Sequence, residues 1–149
     1  MNFEDATILV VDDEGAIRYS VTKTLERAGY HVVTASSGEE ALQIINDQDF
    51  DVVLTDIRMP GISGVDLLER IKDKSPDAVV ILMTGYASLG TAVESLRLGA
   101  NDYLIKPSTS EDIRESVSRG VERAHNLQRR RQLLTTIRSN VSELTGVSL

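Results

Sequence analysis

Three runs of this chain offer no polar face. Ile8-Leu9-Val10-Val11, Val52-Val53-Leu54 and Val79-Val80-Ile81-Leu82-Met83 are apolar at every position. Successive side chains of a strand point to opposite sides, so both sides of each run need cover. Segments with helical spacing of apolar residues lie between them. Strand-like and helix-like stretches thus alternate, the order that a parallel sheet with crossover helices requires. The 149 residues, 41% of them hydrophobic, suffice for one domain with a core and an appendage.

The first strand is expected over about Thr7 to Val11, followed by a helix with Ile17, Val21, Leu25 and Ala28 on one face and Gly29 at its end. His31 to Ala35 forms the second strand. Ser37-Gly38-Glu39-Glu40 is a capping-box pattern opening a helix with Ala41, Leu42, Ile44 and Ile45. Val52 to Thr55 is the third strand, Met59-Pro60-Gly61 a turn, and Gly64 to Lys74 a helix turning Val65, Leu68 and Ile71 inward. Pro76 leads into the fourth strand. Thr91 with Glu94 suggests another capping box, for a helix from about Ala92 to Leu98 stopped by Gly99. Tyr103 to Ile105 is the fifth strand, broken by Pro107, and Ser108-Thr109-Ser110-Glu111 caps a last helix carrying Ile113, Val117, Val121 and Ala124.

No Gly or Pro occurs between Val121 and Val141, so the last helix is expected to run beyond the domain. Leu127, Leu134 and Val141 recur at seven residues, as do Ile137 and Leu144, a partial heptad seam interrupted by Arg130. The division expected is a domain over 5–124 and a helical linker or coiled-coil extension over 125–149.

Cysteine is absent, which excludes disulfides, thiolate catalysis and sulfur-ligated metals. The start, Met1-Asn2-Phe3-Glu4-Asp5, is acidic where a secretory signal is basic, and no apolar run approaches the ~18 residues of a membrane span. A soluble cytoplasmic protein is expected, without membrane contact. The net charge of -7 argues against nucleic-acid binding by the main domain. Residues 1–110 hold nine basic against eighteen acidic residues, and residues 111–149 seven against five. Arg129-Arg130-Arg131 reads as a solvated helix face, since no aromatic or recognition-helix pattern accompanies it.

The strand ends carry the chemistry. Asp12 and Asp13 follow the first strand, Asp56 the third, Thr84 the fourth and Lys106 the fifth. Neighbouring parallel strands would open all of them onto one crevice, where open α/β sheets bind ligands. Each residue has an ordinary reading: the Asp12-Asp13 pair as a helix cap, Asp56 and Thr84 as turn residues, Lys106 as a surface cation. A cap accounts for one aspartate, not for two beside a third. Three close carboxylates cannot all be ionised without a counter-charge, and Mg2+, which prefers oxygen ligands and leaves room for a phosphate, suits them. A carboxylate can also accept a phosphoryl group as an acyl phosphate, and Asp56, on the expected central strand, fits that part.

The segments Ile8-Leu9-Val10-Val11-Asp12-Asp13-Glu14, Leu54-Thr55-Asp56-Ile57-Arg58-Met59-Pro60-Gly61, Met83-Thr84-Gly85-Tyr86-Ala87 and Tyr103-Leu104-Ile105-Lys106-Pro107 together resemble the receiver domain of bacterial two-component response regulators, over about residues 5–124. The resemblance implies an α/β, flavodoxin-like fold, a doubly wound five-stranded parallel sheet in the order 2-1-3-4-5 with five helices. It implies that Asp56 accepts phosphate from a phosphohistidine of a sensor histidine kinase or phosphotransfer protein, and that the chain catalyses its own phosphorylation and dephosphorylation. Asp13, Asp56 and the Arg58 backbone carbonyl would bind Mg2+ directly and Asp12 through water. Thr84 and Tyr103 look like the switch pair, with Tyr103 turning from exposed to buried on phosphorylation, and Lys106 looks like the phosphate-contacting lysine ahead of a cis peptide. Gly85-Tyr86-Ala87-Ser88 resembles receivers joined to ATPase-type transcription activators or other multidomain outputs.

Arg58 and Tyr86 stand two residues after Asp56 and Thr84, where their side chains would overhang the pocket entrance and restrict attacking water. An output domain or effector is the expected recipient of the signal. A homodimer is expected through the C-terminal helix or through the face of the fourth helix, fifth strand and fifth helix. A haloacid-dehalogenase-type phosphohydrolase would need Asp-x-Asp after the first strand, where Asp12-Asp13-Glu14 stands, and a dinucleotide-binding domain would need Gly-x-Gly-x-x-Gly there. A pure interaction module would not need the acid, threonine and lysine set.

Overall fold

Five parallel strands lie side by side in the order β2-β1-β3-β4-β5, as expected. The computed structural model describes residues 5–146; the acidic start before Asp5 and the last three residues lie outside them. The elements are β1 (Thr7–Val11), α1 (Gly15–Arg27), β2 (His31–Ala35), α2 (Gly38–Asp47), β3 (Val52–Asp56), α3 (Gly64–Lys74), β4 (Val80–Thr84), α4 (Leu89–Arg97), β5 (Asp102–Ile105) and α5 (Ser110–Thr145). β1 pairs on both sides, Ile8 with Val32 and with Val52, and β3 continues to β4 with Val53 opposite Val80.

The apolar runs account for this layering. Ile8, Val10, Leu54, Ile81 and Met83 point to one face, against Val21 and Leu25 of α1 and Ile113, Val117 and Val121 of α5. Leu9, Val11, Val53 and Leu82 point to the other, against Ala41 of α2 and Leu67, Leu68 and Ile71 of α3. Val10, Leu54 and Ile81 are wholly buried, and burying such a side chain stabilises the fold by about 1.5–3 kcal/mol. α4 contributes least: Ser95 is its one buried residue, while Leu89, Val93 and Leu96 face outward.

Element ends follow the caps, with corrections. α4 starts one turn before the expected point, because Ser88, not Thr91, is its N-cap and its Oγ accepts from the Thr91 amide at 3.1 Å. The α2 capping box is half made: Ser37 accepts from the Glu40 amide, but the Glu40 carboxylate turns to the amide and hydroxyl of Ser36. At α5 the box is complete and belongs to Thr109 and Asp112. α5 then continues unbroken for 36 residues to Gly146, a length of roughly 54 Å. Beyond Ala124 it leaves Leu133, Leu134, Ile137 and Leu144 exposed. No helix among the described residues is long and apolar enough to cross a membrane.

One glycine sets the exit from the central strand. The Gly64 amide donates to the Ile57 carbonyl at 2.8 Å, and a Cβ on Gly64 would fall on the Asp56 carbonyl oxygen and within 2.8 Å of the Ile57 Cα. Gly64→Ala is expected to lower unfolding free energy by about 3 kcal/mol through this overpacking. Gly90→Ala, in α4 with nothing within 4 Å, is expected to raise it by up to about 1 kcal/mol. Urea denaturation of both variants checks this; equal stabilities would contradict the role given to Gly64.

Candidate functional site

Adjacent parallel strands bring their carboxyl ends to one edge, and the predicted residues converge there. Asp12 is 0% exposed, Asp56 4% and Thr84 1%, while Asp13 is open to solvent. Carboxylate oxygens of Asp12, Asp13 and Asp56 lie within 4.8 Å of one another. Lys106 enters from the end of β5, where its amide donates to the Thr84 carbonyl at 2.7 Å. Its Nζ lies 2.9 Å from Asp12 Oδ2 and 3.3 Å from Asp56 Oδ1. Lys106 therefore bridges two aspartates and lies nearer Asp12. The Lys106-Pro107 peptide is cis.

Asp12 is held from several sides. Its Oδ1 accepts from the Glu14 amide at 2.9 Å and its carbonyl from the Arg18 guanidinium at 2.7 Å. Asp56 is less well compensated. Burial pushes its carboxyl above the ordinary range; Lys106 opposes that shift, and the charges of Asp12 and Asp13 add to it. Burial would lower the Lys106 pKa, but the hydrogen bond and charge of Asp12, with Asp56 behind it, raise it. One ammonium thus faces three carboxylates, and a group bringing more positive charge would be favoured there.

Around this centre stand the other predicted residues. Thr84 Oγ1 accepts from the Tyr86 amide at 3.0 Å. The Arg58 guanidinium lies over the Tyr86 ring, 4.2 Å from its centroid, so the two residues expected at the entrance form one stacked unit. The Tyr103 ring packs against the cluster of Leu9, Val53 and Leu82, and its hydroxyl is buried without a hydrogen-bond partner. The tyrosine expected to move inward on phosphorylation is already inward here. An unpaired buried hydroxyl costs about 1–3 kcal/mol, which works against this position.

Two residues at the site were not singled out from the sequence. Arg18 reaches back from α1 to the Asp12 carbonyl, and Glu39 of α2 accepts from the Ile62 amide on the β3–α3 loop. No local pattern announces the Glu39 bond, since Glu39 and Ile62 are 23 residues apart.

The profile of the response regulator receiver domain family matches residues 8–118. The transcriptional regulatory protein ZraR of Escherichia coli K12 is 38% identical over 127 residues, 85% of this chain and 29% of ZraR. A crystal structure of a response regulator receiver domain protein from Clostridium thermocellum has 40% identity and a TM-score of 0.78, covering 82% of this chain and 98% of that one. The response regulator TrrA of Thermotoga maritima, solved in complex with Mg2+ and BeF, has 37% identity and a TM-score of 0.71 over 77% of this chain and 98% of that one. The chain belongs to the response regulator receiver domain family, the phosphorylation-activated switches of two-component signalling. It spans 29% of the length of ZraR.

The raised pKa of Asp56 has a stability consequence. Between its unfolded and folded pKa the native state holds more protons, so stability falls as pH rises through that interval and the penalty is full above it. Lys106 acts at the alkaline end: its stabilisation is present below pH about 10 and lost as pH rises through its raised pKa. Asp56→Asn, freed of metal by chelator, is expected to be more stable than the parent at neutral pH by about 1 kcal/mol, on the order of 3 °C in Tm. The gain should shrink as pH falls towards about 4. Thermal unfolding across pH checks this, and an Asn variant less stable than the parent at neutral pH would contradict it.

Proposed function

We propose that Asp56 is the phosphoacceptor and that Asp13, Asp56 and the Arg58 backbone carbonyl hold Mg2+ directly, with Asp12 acting through water. The observation that carries this reading is the convergence of three carboxylates at the sheet edge, two of them on one lysine. The match to TrrA, whose structure holds Mg2+ and BeF, supports it further. Bound Mg2+ would offset carboxylate charge and draw charge from phosphoryl oxygens.

An Asp56 carboxylate oxygen attacks phosphorus in line while the bond to the donor imidazole nitrogen breaks. The electron pair leaves with that nitrogen. Lys106, already 3.3 Å from Asp56, contacts a phosphoryl oxygen, and the Thr84 hydroxyl donates to another. That contact shifts the balance between Tyr103 positions, a population shift among states already present. The proposed donor is a sensor histidine kinase or phosphotransfer protein, and the setting the cytoplasm. The name of ZraR, a transcriptional regulatory protein, supports gene regulation as the output, carried by an output domain or effector rather than by direct nucleic-acid contacts of the receiver. Arg58 and Tyr86 are assigned to limiting the entry of water that hydrolyses the acyl phosphate, and so to the lifetime of the signal.

With Mg2+ and a small-molecule phosphodonor, the parent is expected to gain one hydroxylamine-labile phosphate and Asp56→Asn none, as read by intact mass. Labelling of the Asn variant at equal stoichiometry would refute the assignment. Followed in time, Arg58→Ala and Tyr86→Ala are each expected to shorten the lifetime roughly two- to fivefold, the worth of an exposed cation–π pair. The double variant should match either single one. Lifetimes equal to the parent's would remove the gating role.

We further propose that residues 5–124 act as the receiver and that the α5 extension pairs with its copy in a homodimer. Support comes from Leu134, Ile137 and Leu144, exposed on the free part of α5 at heptad spacing. A second candidate surface is the α4, β5 and α5 face, where Leu89, Leu96 and Ile105 are exposed. Sedimentation is expected to show a dimer for the parent and a monomer for the double variant Leu134→Glu with Ile137→Glu. Dimers of both would point to the α4, β5 and α5 face, and monomers of both, with and without phosphodonor, would reject pairing.

A further inference from the structure

The loop that carries Arg58 is tied at two ends. Near β3, the Ile57 amide donates to the Met83 carbonyl at 3.0 Å and the Gly64 amide to the Ile57 carbonyl at 2.8 Å. At the apex the tie comes from α2. Glu39 Oε1 accepts from the Ile62 amide at 2.9 Å across 23 residues of sequence. Gly61, with φ of 77°, takes the left-handed turn that precedes this amide, and a Cβ there would strike the Glu39 carboxylate. Gly38 lets α2 approach closely, since a Cβ on it would sit 2.8 Å from the Ile62 Cβ and 2.9 Å from its carbonyl oxygen.

An acidic residue in the first turn of a helix ordinarily complements that helix's own dipole and amides. Glu39 bonds to another segment as well. Its carboxyl is held below the ordinary range first by the Ile62 amide and then by its own, so it stays a charged acceptor. Arg58 stands between the two ties, with its guanidinium stacked on the Tyr86 ring. Holding the apex thus limits how far the Arg58 backbone can turn.

We propose that Glu39 is a positioning residue for the divalent-cation site: by gripping the Ile62 amide it fixes the β3–α3 loop, and with it the Arg58 backbone carbonyl. It touches neither cation nor phosphoryl group. The proposal rests on the reading that this carbonyl is a cation ligand.

Mg2+ titrations followed by backbone amide NMR, on the full chain and on Glu39→Gln, Glu39→Ala and Asp13→Asn, test it. Glu39→Ala should weaken Mg2+ binding roughly tenfold, the low end for groups that orient a metal's ligands. Its Ile62 amide should exchange faster with solvent before any Mg2+ is added. Glu39→Gln, which keeps an acceptor oxygen, should fall between Glu39→Ala and the parent. Parent-like affinity in Glu39→Ala, while Asp13→Asn loses binding, would overturn the positioning role and leave the cation site standing. A parent that binds no Mg2+, or an Asp13→Asn variant that binds it as well as the parent, would overturn the cation site and this proposal with it.

Discussion

Three carboxylates and one ammonium gathered at the sheet edge set the terms for the rest of this molecule. Asp12 and Asp56 are buried and Lys106 lies between them, so the pocket holds more negative charge than its own cation offsets, and Asp56 carries the strain as a raised pKa. A site satisfied by its own residues would have little reason to bind a cation or to change on gaining a phosphoryl group. This one is short of positive charge, with a flexible lysine shared between two partners. Under the proposed function, added charge there redistributes Lys106 between its partners.

Such a cluster persists because the sheet beneath it is overdetermined. β1, β3 and β4 are buried on both faces, and their ends cannot draw apart without breaking both core layers. Burial is complete along β3 and β4 and falls towards the β5 and α4 side. There α4 buries one residue and Tyr103 lies inward with an unsatisfied hydroxyl. α5 bridges the two regimes: Ile113, Val117 and Val121 anchor it in the core, while Ser116 and Arg119 bond to Asp102 at the start of β5, at 2.6 and 3.1 Å. The start of β5 is thereby tied to a helix that runs on to Thr145.

Most of the architecture was legible because its signals are local. Runs apolar on both faces announce covered parallel strands, and the lack of Gly and Pro after Val121 announces the long helix. Strand order has no such local signal and came from the four-motif resemblance. One helix start differs from the local pattern: Ser88, not Thr91, caps α4, its Oγ accepting from the Thr91 amide. Side-chain directions were less accessible still. The placement of Tyr103, the stack of Arg58 on Tyr86 and the grip of Glu39 on Ile62 all depend on which segments the fold brings together. Nothing at positions 39 or 62 alone foretells that bond.

The central claim is that the charge deficit of this pocket is met jointly by a divalent cation and a phosphoryl group on Asp56. A crystal structure of the chain grown with Mg2+ and beryllofluoride, which imitates that group, tests it most directly. The expected result is density for the fluoride on Asp56, the cation against Asp13, Asp56 and the Arg58 carbonyl, and Lys106 Nζ in contact with a fluorine. An unmodified Asp56 with Lys106 still bridging it to Asp12, at saturating concentrations of both reagents, would contradict the account.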